Sequence, residues 1–156
     1  MINCLRLTYV PRWCIVPMRR QQSVAEHSFR VSIITGALAG RLGFGPALTN
    51  GMMVAALLHD KDEILSGDIP SPYKRAGNMG LYVNVPLTGA SECIIRVADR
   101  YETWKWAQSW GHGPRIPGIM SGIEEELTKA VDQSCVVIEG FLDAYRWVCE
   151  QVESEE

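Results

Sequence analysis

Apolar residues return along this chain at helical intervals. Nowhere do they alternate with polar ones over a length that would make a strand. From Val24 they fall at Val31, Ile34, Leu38 and Leu42, with His27 filling the first gap. Ser23 and Glu26 have capping-box spacing at the start of this helix, and Gly43, Gly45 and Pro46 stop it. A second helix is predicted from about Leu48 to Leu65. Its "MMVAALL" run is apolar all round, which predicts a central, buried position. Ser66 to Lys74, with two prolines and a glycine, reads as a loop, and Arg75 to Pro86 as a loop with a short helical turn. A third helix is predicted over Ala90 to Trp110, broken by "GHGPRIPG". A fourth spans roughly Ile123 to Gln151, with Leu127, Val131, Ser134, Val137, Phe141, Tyr145 and Val148 on one stripe. The expectation is an all-α helical bundle, with residues 1–156 long enough to bury a core as one domain.

Composition removes several classes of partner. A net charge of −3 with 21% charged residues offers no general basic stripe for a nucleic-acid polymer or a membrane surface. No apolar run approaches the ~18 residues of a membrane span, and "MINCLRLTYVPRW" does not read as a signal peptide. The five cysteines form no CxxC pair and no zinc-finger spacing, so free thiols in a reducing, cytoplasmic compartment are expected.

Chemistry gathers around "AALLHDKDEIL", Ala55 to Leu65. Only three histidines occur, and two of them, His27 and His59, lie on apolar helical runs. Each alone could be a core histidine with its own hydrogen bond. Burying two imidazoles and the Asp60 carboxylate without partners, however, costs several kcal/mol. A divalent cation satisfies all three, because it favours neutral imidazole and ionised carboxylate. Asp99, after "IIRVA", ends another apolar turn; pairing with Arg96 or Arg100 is its other reading. Two imidazoles with two carboxylates suit Zn, Co, Mn, Fe or Ni better than Mg or Ca.

His27, the His59–Asp60 pair and Asp99, in that order on successive helices, resemble the H…HD…D signature of HD-domain metal-dependent phosphohydrolases. "RW", "SVAEHS" and "LLHDKDEILSGDIPSPYK" together resemble the HD-domain 5′-deoxynucleotidases, over roughly Arg12 to Lys74 and Asp99. The short chain and "RWCI" look like one branch, the phage dATP triphosphohydrolases of DatZ type, which accompany phages that replace adenine by 2-aminoadenine. The resemblance implies a single HD-domain bundle whose metal (Zn, Co or Mn) is held by His27, His59, Asp60 and Asp99. It implies deoxyadenosine nucleotides as substrates and a homo-oligomeric enzyme.

Each carried-over role has a physical rationale. Glu63, one helical turn past His59 and expected on its face, would orient water or carry its proton; a solvent-facing glutamate is the alternative. Arg12 and Lys74 would hold phosphates, with Arg19 and Arg20 as further candidates for a triphosphate tail unless they form a solvated basic turn. Asp68 would meet the sugar 3′-hydroxyl or else cap its loop, and Pro72 would shape the nucleoside pocket. Trp13 offers an aromatic face to the base, and Ile15, packed at purine C2, would exclude a 2-amino group. Two other readings stay open: a 5′-deoxynucleotidase limited to monophosphates, and a nucleotide sensor in which the metal is structural.

Overall fold

The computed structural model describes residues 4–68 and 89–154. Among them every regular element is helical, and the only strand-like pairing is two isolated bridges, as expected of an all-α chain. A short 3₁₀ helix, Cys4–Tyr9, precedes α1 (Val24–Arg41), α2 (Pro46–Leu57), α3 (Glu63–Ser66), α4 (Gly89–Trp110), α5 (Ile116–Val137) and α6 (Phe141–Ser154). No helix among the described residues is long and apolar enough to cross a membrane.

Helix α1 organises the rest. Its Ser23 cap accepts the Glu26 N–H at 3.1 Å, satisfying one of the orphan donors of the first turn. One face buries Val31, Ile34 and Leu38 against Met52 and Ala56 of α2, Ile94 and Ala98 of α4, and Phe141 and Val148 of α6. On its flank Gly36 lets the Met53 side chain pack close: a Cβ there would stand 2.7 Å from the Met53 sulfur, which would have to shift.

Two predicted helices are broken. The second ends at Leu57, and its continuation is a tightened turn in which Lys61, Glu63, Ile64 and Leu65 each donate to the carbonyl three residues back. The His59 ring helps to end it by donating Nδ1–H to the Ala56 carbonyl at 2.6 Å. Nor is "MMVAALL" buried all round: Val54 and Leu57 are 49% and 41% exposed, and the helix buries one stripe of Met52, Ala55 and Ala56. The fourth predicted helix starts seven residues early, at Ile116. It divides at Ile138–Gly140, where Gly140 takes φ 73°, a left-handed conformation natural to glycine. Val137, counted on the buried stripe, faces solvent beside this break.

Residues 10–20 form an irregular strap fastened at both ends. Val24 N–H donates to the Val10 carbonyl and Arg12 N–H to the Gln22 carbonyl, tying the strap to the start of α1. Farther along, Arg19 N–H donates to the Trp110 carbonyl and His112 N–H to the Pro17 carbonyl, tying it to the end of α4. A Cβ on Gly111 would stand 2.6 Å from the Ala107 carbonyl, so only glycine lets this second fastening close.

Candidate active site

Four of the expected residues converge where α1, the 58–62 turn and α4 meet. The His27 Nε2 atom lies 3.1 Å from an Asp99 oxygen and 3.7 Å from an Asp60 oxygen. The His59 Nε2 atom lies 3.2 Å from the same Asp60 oxygen and 3.8 Å from Asp99. Both Nε2 atoms are buried and make no hydrogen bond, whereas both Nδ1 atoms are engaged, His27 with Glu102 at 2.5 Å and His59 with the Ala56 carbonyl. A ring that donates through Nδ1 keeps its Nε2 lone pair for something else.

The donors of His27, His59 and Asp60 fit one metal ion, and Asp99 stands at the margin of that group. Four donors at about 2.0–2.2 Å from one ion stand about 3.4 Å apart at tetrahedral angles, and the four imidazole–carboxylate separations here, 3.1 to 3.8 Å, bracket that value. Ligand atoms of His27, His59 and Asp60 all lie within 4.8 Å of one another. The rings and carboxylates also act on each other. Burial disfavours the charged His59 ring, but Asp60, and then Asp99, outweigh it and push its pKa up to about 10. Burial likewise works against the Asp99 charge, yet the two imidazoles and Arg100 hold its carboxyl well below the usual range.

Glu63 opens α3 rather than sharing a helix face with His59, because the helix breaks between them. Its backbone N–H donates to the Asp60 carbonyl at 3.0 Å, and its side chain is only 4% exposed. The turn thus delivers a second, buried carboxylate three residues after Asp60. The solvent-facing alternative for Glu63 does not hold.

The strap brings Arg12 and Trp13 to the same region. Trp13 sits at φ 64°, a left-handed conformation unusual for a large side chain. Its N–H donates to Asp68 at 3.0 Å, its indole Nε1–H donates to the Gln22 side-chain oxygen at 3.2 Å, and the Arg12 guanidinium stands 5.7 Å from its ring. Asp68, whose other oxygen lies 4.0 Å from Arg12 Nε, therefore pins the strap as well as facing the site. Ile15 is 77% exposed on the strap. Arg20 pairs with Glu26 at 2.7 Å and stands over the faces of Trp106 and Trp110. Pro72 and Lys74 lie outside the described residues.

The residue missed from sequence is Glu102, wholly buried on α4 one turn after Asp99. It accepts from His27 Nδ1 and, at 2.7 Å, from Gln22 Nε2, and it faces Arg30 at 3.1 Å and Arg12 at 3.6 Å. Burial opposes its charge, but His27, Arg12 and Arg30 prevail and lower its pKa. The i, i+3 spacing of Asp99 and Glu102 was the available signal. The "YETWKWAQSW" segment that carries it packs: Trp106 is buried, and Tyr101 stacks on Trp104.

Comparison with known proteins now bears on this geometry. The family described as 5′-deoxynucleotidase YfbR-like matches residues 1–81, more than half of the chain. The chain belongs to this family. A relative named dATP triphosphohydrolase, from Salmonella phage PMBT28, is 28% identical over 151 residues, covering 84% of this chain and 77% of that protein. The 5′-deoxynucleotidase ECA3034 of Pectobacterium atrosepticum is 36% identical over 98 residues, covering 61% of this chain. Its match takes in only 46% of that enzyme, so the chain spans about half the length of such relatives. Among solved structures, the HD phosphohydrolase DatZ of cyanophage S-2L, bound to dA and one catalytic Zn²⁺ ion, superposes with a TM-score of 0.83. That match covers 98% of this chain and 95% of that one at 22% identity, a likeness of fold.

Proposed function

We propose that the chain is a metal-dependent phosphohydrolase that cleaves dATP to deoxyadenosine and triphosphate. The observation that carries this reading is the pair of buried, unbonded Nε2 atoms within 4.8 Å of an Asp60 oxygen, with Asp99 beside them. A zinc, cobalt or manganese ion held by His27, His59, Asp60 and Asp99 would supply Lewis acidity to the phosphate and a nucleophilic water at neutral pH. The catalytic Zn²⁺ bound in the cyanophage DatZ structure favours the first of the three.

The remaining steps belong to the chain's own side chains. Arg12 grips phosphate oxygens through its guanidinium fork. Glu63, shielded from solvent, takes the proton of the water that attacks the α-phosphorus. The new bond is water oxygen to α-phosphorus, and the bond broken joins that phosphorus to O5′ of the nucleoside. Deoxyadenosine leaves with a proton, and triphosphate remains. dADP and dAMP share the reacting bond and would be slower alternatives. Trp13 meets the base, and exposed Ile15 packs at purine C2. This selection suits a phage that uses 2-aminoadenine, working in host cytoplasm. Exposed Val136, Val137 and Leu142 on the C-terminal helices support self-association of the enzyme.

A second reading, a deoxynucleotidase confined to monophosphates, is favoured by the engagement of Arg20, which removes one cation from the supply for a longer phosphate tail. One experiment separates the two. Purified protein with Zn²⁺ or Co²⁺ is incubated with each dNTP and dNMP, and the products are resolved by chromatography. Triphosphate appearing with deoxyadenosine supports the first reading; hydrolysis of dAMP alone supports the second, and turnover of neither sinks both. Ile15→Ala is expected to admit dGTP or 2-amino-dATP, raising their relative kcat/KM about tenfold in a competition assay.

A further inference from the structure

We infer that Glu102, acting through Gln22, is a positioning residue that fixes the metal pole and the substrate strap with one carboxylate. This inference rests on the reading that His27 holds the metal and that Arg12 and Trp13 meet the nucleotide. The argument is one of donors and acceptors. An ionised carboxylate can only accept. Oε2 therefore requires the proton of His27 on Nδ1, at 2.5 Å, which leaves Nε2 as a lone pair aimed at Asp60 and Asp99. Oε1 requires Gln22 to turn its NH₂ inward, at 2.7 Å. The Gln22 oxygen must then point the other way, where it accepts from Arg12 Nη1 at 3.1 Å and from Trp13 Nε1 at 3.2 Å.

The chain of bonds has a single consistent polarity, and Glu102 sets it. Gln22 is wholly buried and has no solvent to turn to if its amide is reversed. A reversed amide would present NH₂ to two groups that are themselves only donors there. Glu102 also faces Arg12 directly, at 3.6 Å, so the guanidinium is located by charge as well as by the amide. Glutamine at position 102 breaks this logic. With its oxygen toward His27, its NH₂ faces the Gln22 NH₂, and relief comes only by turning Gln22 and stranding Arg12 and Trp13.

The test uses the full chain and two variants, Glu102→Gln and Gln22→Met. Affinity for Zn²⁺ is measured by chelator competition, KM and kcat for dATP at saturating metal, and the Trp13 indole N–H by heteronuclear NMR of metal-free protein. For Glu102→Gln, metal affinity is expected to fall about 10–100-fold, as for other loss of support behind a ligating histidine. Its KM is expected to rise about tenfold, and the Trp13 indole resonance to move. Gln22→Met is expected to raise KM by a similar factor while metal affinity stays within about twofold, a split that general loss of stability would not produce. An unmoved indole signal in Glu102→Gln, or an unchanged KM in Gln22→Met, overturns the proposal. If Glu102→Gln does not fold, Gln22→Met decides alone. If the wild-type protein turns over no nucleotide, or His27→Ala binds Zn²⁺ as well as wild type, the underlying reading has failed instead. The indole measurement still reads the proposed coupling in that case.

Discussion

The proposed metal pole and the proposed substrate strap meet in one region but are held in opposite ways. His27 and Asp99 stand on long helices packed into the core, and His59 and Asp60 on a turn clamped between α2 and α3. The strap has no regular structure. Backbone bonds fasten it at Arg12 and Arg19, and side-chain bonds hold Trp13 between. A cation tolerates errors of only a few tenths of an ångström in its ligands, so those ride on rigid elements. On the proposed reading, strap residues that do not touch Gln22, such as Ile15, can be exchanged without disturbing the ligands.

Measurements can break or sharpen that contrast. The largest effects belong to the metal pole. His59→Ala or Asp99→Ala, or a chelator, is expected to lower kcat by about 10³-fold or more, since several kcal/mol of charge stabilisation is lost. Added Zn²⁺ should restore the chelated wild type but not the variants, as read by steady-state kinetics and metal content. Glu63→Ala should lower kcat about 10²–10⁴-fold with its zinc retained; activity at the wild-type level would remove Glu63 from proton transfer. On the strap, Arg12→Ala is expected to raise KM about 10–100-fold, with Arg12→Lys intermediate because a point charge replaces a fork. A fall in kcat as large as that of the metal variants would mean the two regions are not separable.

The smallest expected effect is on thiol reactivity. Cys14 on the strap is exposed, whereas Cys149 lies half-buried beside Tyr145 in the packed bundle, where burial pushes its thiol pKa up. A raised pKa leaves less thiolate at a given pH. Cys149 should therefore alkylate more slowly than Cys14 near pH 8, and its rate should climb only at higher pH. Mass spectrometry of iodoacetamide-treated protein reads both.

How much could be read beforehand follows the same division. His27 and Asp99 were visible because helical periodicity exposes a polar residue on an apolar stripe, and His59–Asp60 because a buried run ends in two such groups. The break after Leu57 was not visible. "MMVAALLHDKDEIL" contains no glycine or proline, and the helix is ended partly by a side chain donating to its own backbone. The end at Val137 was hidden likewise, since Gly140 stands inside an unbroken apolar stripe. Glu102 lay in a segment rich in charge and tryptophan, where one buried glutamate resembles its exposed neighbours. Only the three-dimensional approach of Gln22, His27 and two arginines distinguishes it. Strap residues were identified by resemblance alone, and no periodicity could have given the left-handed backbone at Trp13.

That backbone has a consequence for anyone reshaping the protein. A tryptophan held at φ 64° carries roughly 1–3 kcal/mol of conformational energy that glycine would not. Glycine at position 13 would release that energy but forfeit the indole's bond to the buried Gln22 oxygen, a loss of similar size. The strained turn is therefore held in place by its own side chain, and a smaller residue there relaxes the backbone only by loosening the strap.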